Sequence, residues 1–370
     1  MHTYVLAFHA LYRCRHAGVC CTSGWTIPVE APLYRSLKSA LEWGQLRPDG
    51  THRAEDLFET AEDLPDGEPA VLRRRADGSC VFFERGRGKL CAIQREIDHA
   101  HLPSACRHFP RVALIDPRGT FVALSHVCPT AARMLLDDGD ADVVTSGPVI
   151  DRHLALEGLD ARDALPPLLR RDLLWDWDGW DRWERGAVRL LARADHSPEV
   201  SMAGLRDAVE SVRAWRPADG PLEDAVVAAL EHGARVAEPL MLSETSMRAL
   251  CGLVEACIPD GLKPSGLEAT PIFDVPGWDR WGGPVGRYLA ARAFANWVGY
   301  YGADLRTWFA SILAAYAALR ASAAARIHAG AAPGDPDVLV QAFGDADRLM
   351  LHMASASALA EHLDEWESEK

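Results

Sequence analysis

The sequence predicts an α+β N-terminal cysteine-cluster domain followed by a mostly α-helical C-terminal domain, predominantly α overall. Three observations lead there. Seven of nine cysteines fall in the first 128 residues, among short aromatic and β-branched runs broken by Gly and Pro. From about residue 136 the apolar residues recur with the helical period. Pro- and Gly-containing breaks at 216 to 221, 259 to 284 and 330 to 336 then cut that region into separate helices. The expected boundaries are 1–135 and 136–370.

At 370 residues, 48% hydrophobic and 25% charged, the chain has the composition of a globular protein with room for two cores. No apolar run approaches the roughly 18 to 20 residues that span a bilayer. The opening "MHTYVLAFHALYRCRH" lacks the basic start and long apolar core of a signal peptide. The expectation is a cytoplasmic protein with reduced thiols and no membrane partner.

The first element is "LYRCRHAGVCCTSGW", with Cys14, Cys20 and Cys21 within eight positions. An odd cysteine total in a reducing compartment argues for metal ligation over disulfides. There is no C-x-x-C pair and no C-x-x-x-C-x-x-C, so neither a zinc ribbon nor a radical-SAM motif is present. In an extended chain Cys20 and Cys21 point to opposite sides, so only one of them is expected to bind a given metal atom unless a tight turn brings them together.

Next, "CVFFERGRGKLC" reads as a β-hairpin turning at Arg85 and Gly86, which sets Cys80 opposite Cys91. Directly paired residues hold their Cβ atoms about 4.5 to 5.5 Å apart, within reach of one metal centre. Cys106 follows in "LPSACRHFPR", between Pro103 and Pro110, and His99, His101 and His108 stand near enough in sequence to complete a mixed site. "SHVCPTAARMLL" starts a helix with Cys128 at the N-cap and Pro129 at the first helical position. A sulfur there faces unpaired N–H groups and is easily held as thiolate.

Charge is unevenly placed. The chain is −14 overall, yet residues 71 to 120 carry ten Lys and Arg against five acids. A basic setting lowers thiol pKa and offsets several thiolates on a metal. A solvated basic face is the plain alternative, and with a sequence pI near 5.4 nucleic acid is the weaker reading.

The order "CCTSGW", "CVFF…GKLCAIQ", "LPSACRHFPR", "LSHVCPTAARML" resembles the flagellin lysine-N-methylases and the broader cysteine-cluster proteins described as zinc- or iron-chelating. The elements C-C-x-x-G-W, C-R-x-F-P-R and C-P-x-A-A-R carry the resemblance, over residues 14 to 135. It implies an iron–sulfur centre of the 4Fe–4S kind, with zinc as the alternative. It also implies methyl transfer from S-adenosylmethionine to lysine side chains of flagellin or another protein. Carried over by position, the ligand candidates are Cys14, Cys20, Cys21, Cys80, Cys91, Cys106 and Cys128. A 4Fe–4S centre uses only four thiolates, so up to three are spare. No Gly-rich loop after a strand marks an S-adenosylmethionine site, and no general base is named by the sequence. The rival is a protein that binds iron or zinc for storage, sensing or structure without methyl transfer.

In the remainder, "DRHLALEGL", "RWERGAVRLLARAD", "GLRDAVESVRAW", "LEDAVVAALEHGARVA" and "SMRALCGLVEAC" have helical periodicity. Cys251 and Cys257 lie about 240° apart on their helix and are expected in the core. Residues 285 to 329 are Ala-rich helix, and a final helix starts near Asp337. Trp177, Trp180 and Trp183 form a stripe expected to pack on the core. The sharper reading makes them, with Asp176, Asp178 or Asp181, a recess for a lysine ammonium. Tyr288, Tyr300 and Tyr301, near Arg292 and Asn296, are a second polar–aromatic patch; lining a pocket is the sharper reading, and core and surface roles are the ones expected.

Overall fold

The computed structural model describes residues 2–48, 53–59, 70–84, 90–150, 156, 158–260 and 275–368. It is predominantly helical, at 54% helix and 12% strand. Chain contacts divide it into two compact units. The smaller is Arg13–Pro110 with Arg152–Leu156; the larger is Met1–Tyr12, Arg111–Asp151 and Glu157–Lys370.

In chain order the larger unit contributes β1 (Thr3–Leu6) first. The smaller unit then runs α1 (Val19–Thr22), β2 (Pro28–Val29), α2 (Ala31–Glu42), β3 (Phe58–Glu59) and β4 (Ala70–Leu72). It continues with β5 (Phe83–Glu84), β6 (Leu90–Cys91), α3 (Ala92–Glu96) and α4 (Ser104–His108). Its strands form a three-stranded antiparallel sheet, β2-β4-β3, and the separate pair β5–β6. Val29, Leu37, Leu46, Leu72, Phe82 and Ile93 are buried in one core, with Cys80 inside it and Cys21, Cys91 and Cys106 packed against it. These short strands have few ladder bonds, so burial of that apolar set is what holds the unit together.

The larger unit resumes with β7 (Arg111–Asp116), β8 (Gly119–Leu124), α5 (Pro129–Met134), β9 (Val143–Val144) and β10 (Gly158–Asp160). With β1 these make a five-stranded mixed sheet, ordered β10-β7-β8-β1-β9. The β7–β8 hairpin is antiparallel with Leu114 opposite Phe121, while β1 lies parallel to β8 with Tyr4 opposite Phe121. "DRHLALEGL" departs from its helical expectation. Residues 151–155 and 157 lie outside the described set, and Gly158–Asp160 pairs in parallel with β7. Pairing with a strand some 45 residues earlier overrides the local period there.

Then come β11 (Leu168–Arg170) and β12 (Leu173–Leu174), followed by α6 (Trp177–Leu191), α7 (Pro198–Ala214), α8 (Leu222–Gly233) and α9 (Glu244–Ala256). Four helices expected from periodicity are therefore present. Their starts follow the capping rule: Asp176, Ser197 and Ser243 each accept a hydrogen bond from a first-turn N–H. α7 and α8 approach closely because two glycines face each other. A Cβ on Gly204 would stand 2.3 Å from the Gly233 oxygen.

The chain ends in α10 (Gly282–Ala293), α11 (Leu305–His328), α12 (Pro336–Asp347) and α13 (Ala356–Ser368). The expected single final helix is two, separated by a π-helical turn at Arg348–Met353. α11 is long and apolar enough to cross a membrane by length and composition, beyond what the sequence reading allowed. Its apolar window is 89% buried, the pattern of a central core helix. Trp308 on α11 meets Trp180 and Trp183 of α6 edge-on, at 6.0 Å between ring centroids in both cases. Cys251 and Cys257 lie in this core, as expected.

Candidate metal centre

Five of the seven candidate cysteines come together within the smaller unit. Cys20 and Cys21 sit on α1, a single turn entered through Gly18 at φ 80°. That left-handed entry is one that residues with a Cβ adopt only at a cost. It replaces the extended arrangement considered above: both sulfurs lie on one side, 3.9 Å apart. The Cys21 carbonyl accepts the Cys80 N–H at 2.7 Å, tying α1 to the next cysteine.

The expected Cys80–Cys91 pairing is corrected. Cys91 stands opposite Phe83, while Cys80 forms an isolated antiparallel bridge with Arg74. The cause is a tight turn: Phe83 N–H donates to the Cys80 carbonyl at 3.0 Å, which takes Cys80 out of the β5–β6 ladder. The proposed turn at Arg85 and Gly86 lies outside the described residues. Cys91 nevertheless stays with the group, at the start of α3, and Cys106 joins it from α4.

Electrostatics show the convergence. Burial raises the Cys80 thiol and pushes Cys91 up to about 12, and charge on Cys20 raises both further. Cys106 is raised well above the ordinary thiol range, by burial first and then by charge on Cys80, Cys91 and Cys20. Within the adjacent pair, the hydrogen bond with Cys21 lowers the Cys20 thiol to about 7. The same bond, with burial and charge on Cys91 and Cys80, raises Cys21. A metal-free group of this kind holds one thiolate easily and penalises each further one. A bound cation removes that penalty and releases the protons.

The basic window supplies less positive charge than its composition suggests. Arg95 is held by Glu84 and Glu96, and Arg107 by Glu30. Arg74 bears on Cys20, Cys80 and Cys106, and both Arg74 and Arg75 on Cys80. Arg85, Arg87 and Lys89 lie outside the described residues.

The remaining candidates lie elsewhere. Cys14 is exposed, its sulfur accepting from the His16 N–H at 3.4 Å. Cys128 belongs to the larger unit, where it is the N-cap of α5 as expected, 3.5 Å from the Tyr12 hydroxyl. His99 is exposed, His101 pairs with Asp98 at 2.7 Å, and His108 lies 3.3 Å from the Ser104 hydroxyl. Among the described residues no three His, Cys, Asp or Glu side chains are arranged around a single metal ion.

The larger unit holds a buried polar chain that sequence reading missed. His126 Nδ1 is 2.8 Å from Asp347 Oδ2, and His126 Nε2 is 3.2 Å from His9 Nε2. Arg292 donates to the other Asp347 oxygen at 3.2 Å. Burial, then charge on His126, lowers His9 well below the ordinary imidazole range. Burial opposes the Asp347 charge, but His126 and Arg292 hold its carboxyl below the usual range. The one local signal was His126 beside Ser125 and Cys128 in "LSHVCP".

The tryptophan stripe packs as expected, with Trp180 and Trp183 fully buried. Trp177, Asp178 and Asp181 do open onto a recess of about 580 Å³, but Arg118, Arg182, Arg185 and Arg189 line it too. Asp181 is paired with Arg185 at 2.6 Å, and Asp176 is spent capping α6. Four guanidinium groups make this a poor host for an ammonium. In the second patch, Tyr288 is buried and Tyr300 donates to Asp116 at 2.5 Å, while Tyr301 is surface-exposed. Comparison with protein-family models, with curated proteins and with solved structures finds no match.

Proposed function

We propose that the Arg13–Pro110 unit holds a thiolate-bound iron centre of the iron–sulfur kind, with ligands drawn from Cys20, Cys21, Cys80, Cys91 and Cys106. The observation that carries this is the gathering of thiols from four separate segments around one small core: Cys80 lies inside it, Cys21, Cys91 and Cys106 pack against it, and the Cys20 sulfur is 3.9 Å from that of Cys21. The donor set fits: thiolates are the ligands of iron–sulfur clusters, and four suffice. A cluster takes one cysteine per iron and so accepts sulfurs set further apart than a single ion does.

Zinc is the second reading, because two thiolates on one tetrahedral zinc lie roughly 3.8 Å apart at Zn–S of about 2.3 Å. Cys20 and Cys21 meet that spacing at 3.9 Å. Metal analysis of protein purified without oxygen separates the two. Iron with sulfide supports the cluster, and stoichiometric zinc without colour supports the alternative.

The activity we propose with it is methyl transfer from S-adenosylmethionine to protein lysine, which rests on the resemblance of C-C-x-x-G-W, C-R-x-F-P-R and C-P-x-A-A-R. In that reaction the lysine ammonium gives up a proton and its nitrogen attacks the methyl carbon. The carbon–sulfur bond breaks and S-adenosylhomocysteine leaves. A bound cluster supplies either a structural tie or an anchor for the cosubstrate's amino-acid end. Loaded protein incubated with labelled S-adenosylmethionine and flagellin or a cell lysate tests it. Label on lysine supports methylation, and no label with intact cluster leaves metal binding without turnover as the function.

A further inference from the structure

We propose that Arg74 is a positioning residue of the thiol site, whose guanidinium sets the net charge felt by the bound metal. The inference rests on the metal-centre reading above. Arg74 pairs its backbone with Cys80, so the two residues are held side by side across the bridge. Its side chain returns over α1: Nη1 donates to the Cys21 carbonyl at 3.2 Å and Nη2 to the Trp25 carbonyl. Two carbonyls from the "CCTSGW" turn therefore fix the plane of the guanidinium. Nε is buried and has no hydrogen-bond partner among the described residues.

Among the described residues no carboxylate offsets this charge. Arg95 and Arg107, from the same unit, are each paired with glutamate. Among the described residues Arg74 makes no ion pair, and its charge acts on the sulfurs of Cys20, Cys80 and Cys106. A fixed cation beside several thiolates, partly removed from water, does two things. It lowers the repulsion that opposes gathering the ligands, and it favours the more negative, reduced state of a redox centre. Arg75 differs: its terminal nitrogens donate to the carbonyls of Cys80, Val81 and Phe83, which fits a role in holding the turn.

The test compares wild type, Arg74→Gln and Arg74→Lys. Each is loaded with iron and sulfide without oxygen, and its reduction potential is read by redox titration. Metal-free samples are titrated with Co²⁺, read by thiolate-to-cobalt absorption. Arg74→Gln is expected to bind Co²⁺ about 10-fold more weakly and to show a lower potential in the loaded form. Arg74→Lys, which keeps the charge, is expected to recover most of both. The same potential and Co²⁺ affinity in all three overturns the proposal. If Arg74→Gln does not fold, Arg74→Met, which also removes the charge and keeps a long side chain, takes its place with the same expected lower potential and weaker Co²⁺ binding. Wild-type values in it overturn the proposal, as does loss of cobalt and iron binding by a folded Lys variant. Wild-type protein that takes up neither iron nor Co²⁺ overturns the metal-centre reading itself, and with it this inference.

Discussion

The sulfur atoms of Cys20 and Cys21 lie 3.9 Å apart on a single helical turn, within hydrogen-bond reach of each other. Cys20 is thereby lowered to about 7 and is the thiol of the pair that ionises near neutrality. In metal-free protein, alkylation of Cys20 followed by peptide mapping should rise with pH through a midpoint near that value. Cys21→Ser replaces the partner thiol by a hydroxyl with its own geometry and should move the midpoint upward. An unchanged midpoint would mean that the pair is not coupled.

Cysteine replacements should divide by location. Cys80→Ser and Cys106→Ser remove sulfurs from the convergent group and should bring bound iron close to background. Cys251→Ser and Cys257→Ser lie in the core of the larger unit and should retain wild-type iron per chain. Iron loss from the last two would point to a general loss of fold as the cause in all four.

The buried His9–His126–Asp347 chain predicts acid sensitivity. His9 is lowered by burial, so its folded form binds fewer protons than the unfolded chain. That contribution is complete above about pH 6.5, the unfolded value, and is lost as pH falls toward the folded one. Stability measured by urea unfolding should therefore drop between pH 7.5 and 5.5, by at most about 1.4 kcal/mol per pH unit for this group. His9→Gln should flatten the slope. An equal slope in the variant would place the acid sensitivity elsewhere.

The α7–α8 contact depends on having no side chain at its centre. A Cβ at Gly204 would meet the backbone oxygen of Gly233 at 2.3 Å, and the converse distance is 2.4 Å. Neither oxygen belongs to a flexible side chain that can move aside. Gly204→Ala should cost about 1 to 3 kcal/mol, read as a lower thermal midpoint. An unchanged midpoint would show that the helices part freely.

What was legible in the sequence was local. α6 to α9 follow from apolar residues at the helical period and from caps such as Ser197 and Ser243. The N-cap position of Cys128 follows from Pro129. Symmetry about Arg85 and Gly86 misled the Cys80–Cys91 pairing, because it takes no account of the turn that carries Cys80 away to Arg74. That seven cysteines crowd the first third of the chain is plain from their positions. That Cys21, Cys80, Cys91 and Cys106 gather at one core depends on the β2-β4-β3 sheet and the apolar set beneath it, which no single segment encodes. The His9–His126–Asp347 chain spans separations of 117 and 221 residues, so no local pattern announces it.

The central claim is that five converging thiols hold an iron–sulfur centre, and the most direct measurement is the iron and acid-labile sulfide content of wild-type protein purified without oxygen. The account predicts a brown protein with iron and sulfide in equal amounts, about four of each per chain for a 4Fe–4S centre, lost in Cys80→Ser. Colourless protein that carries stoichiometric zinc, or no metal after reconstitution with iron and sulfide, would contradict it.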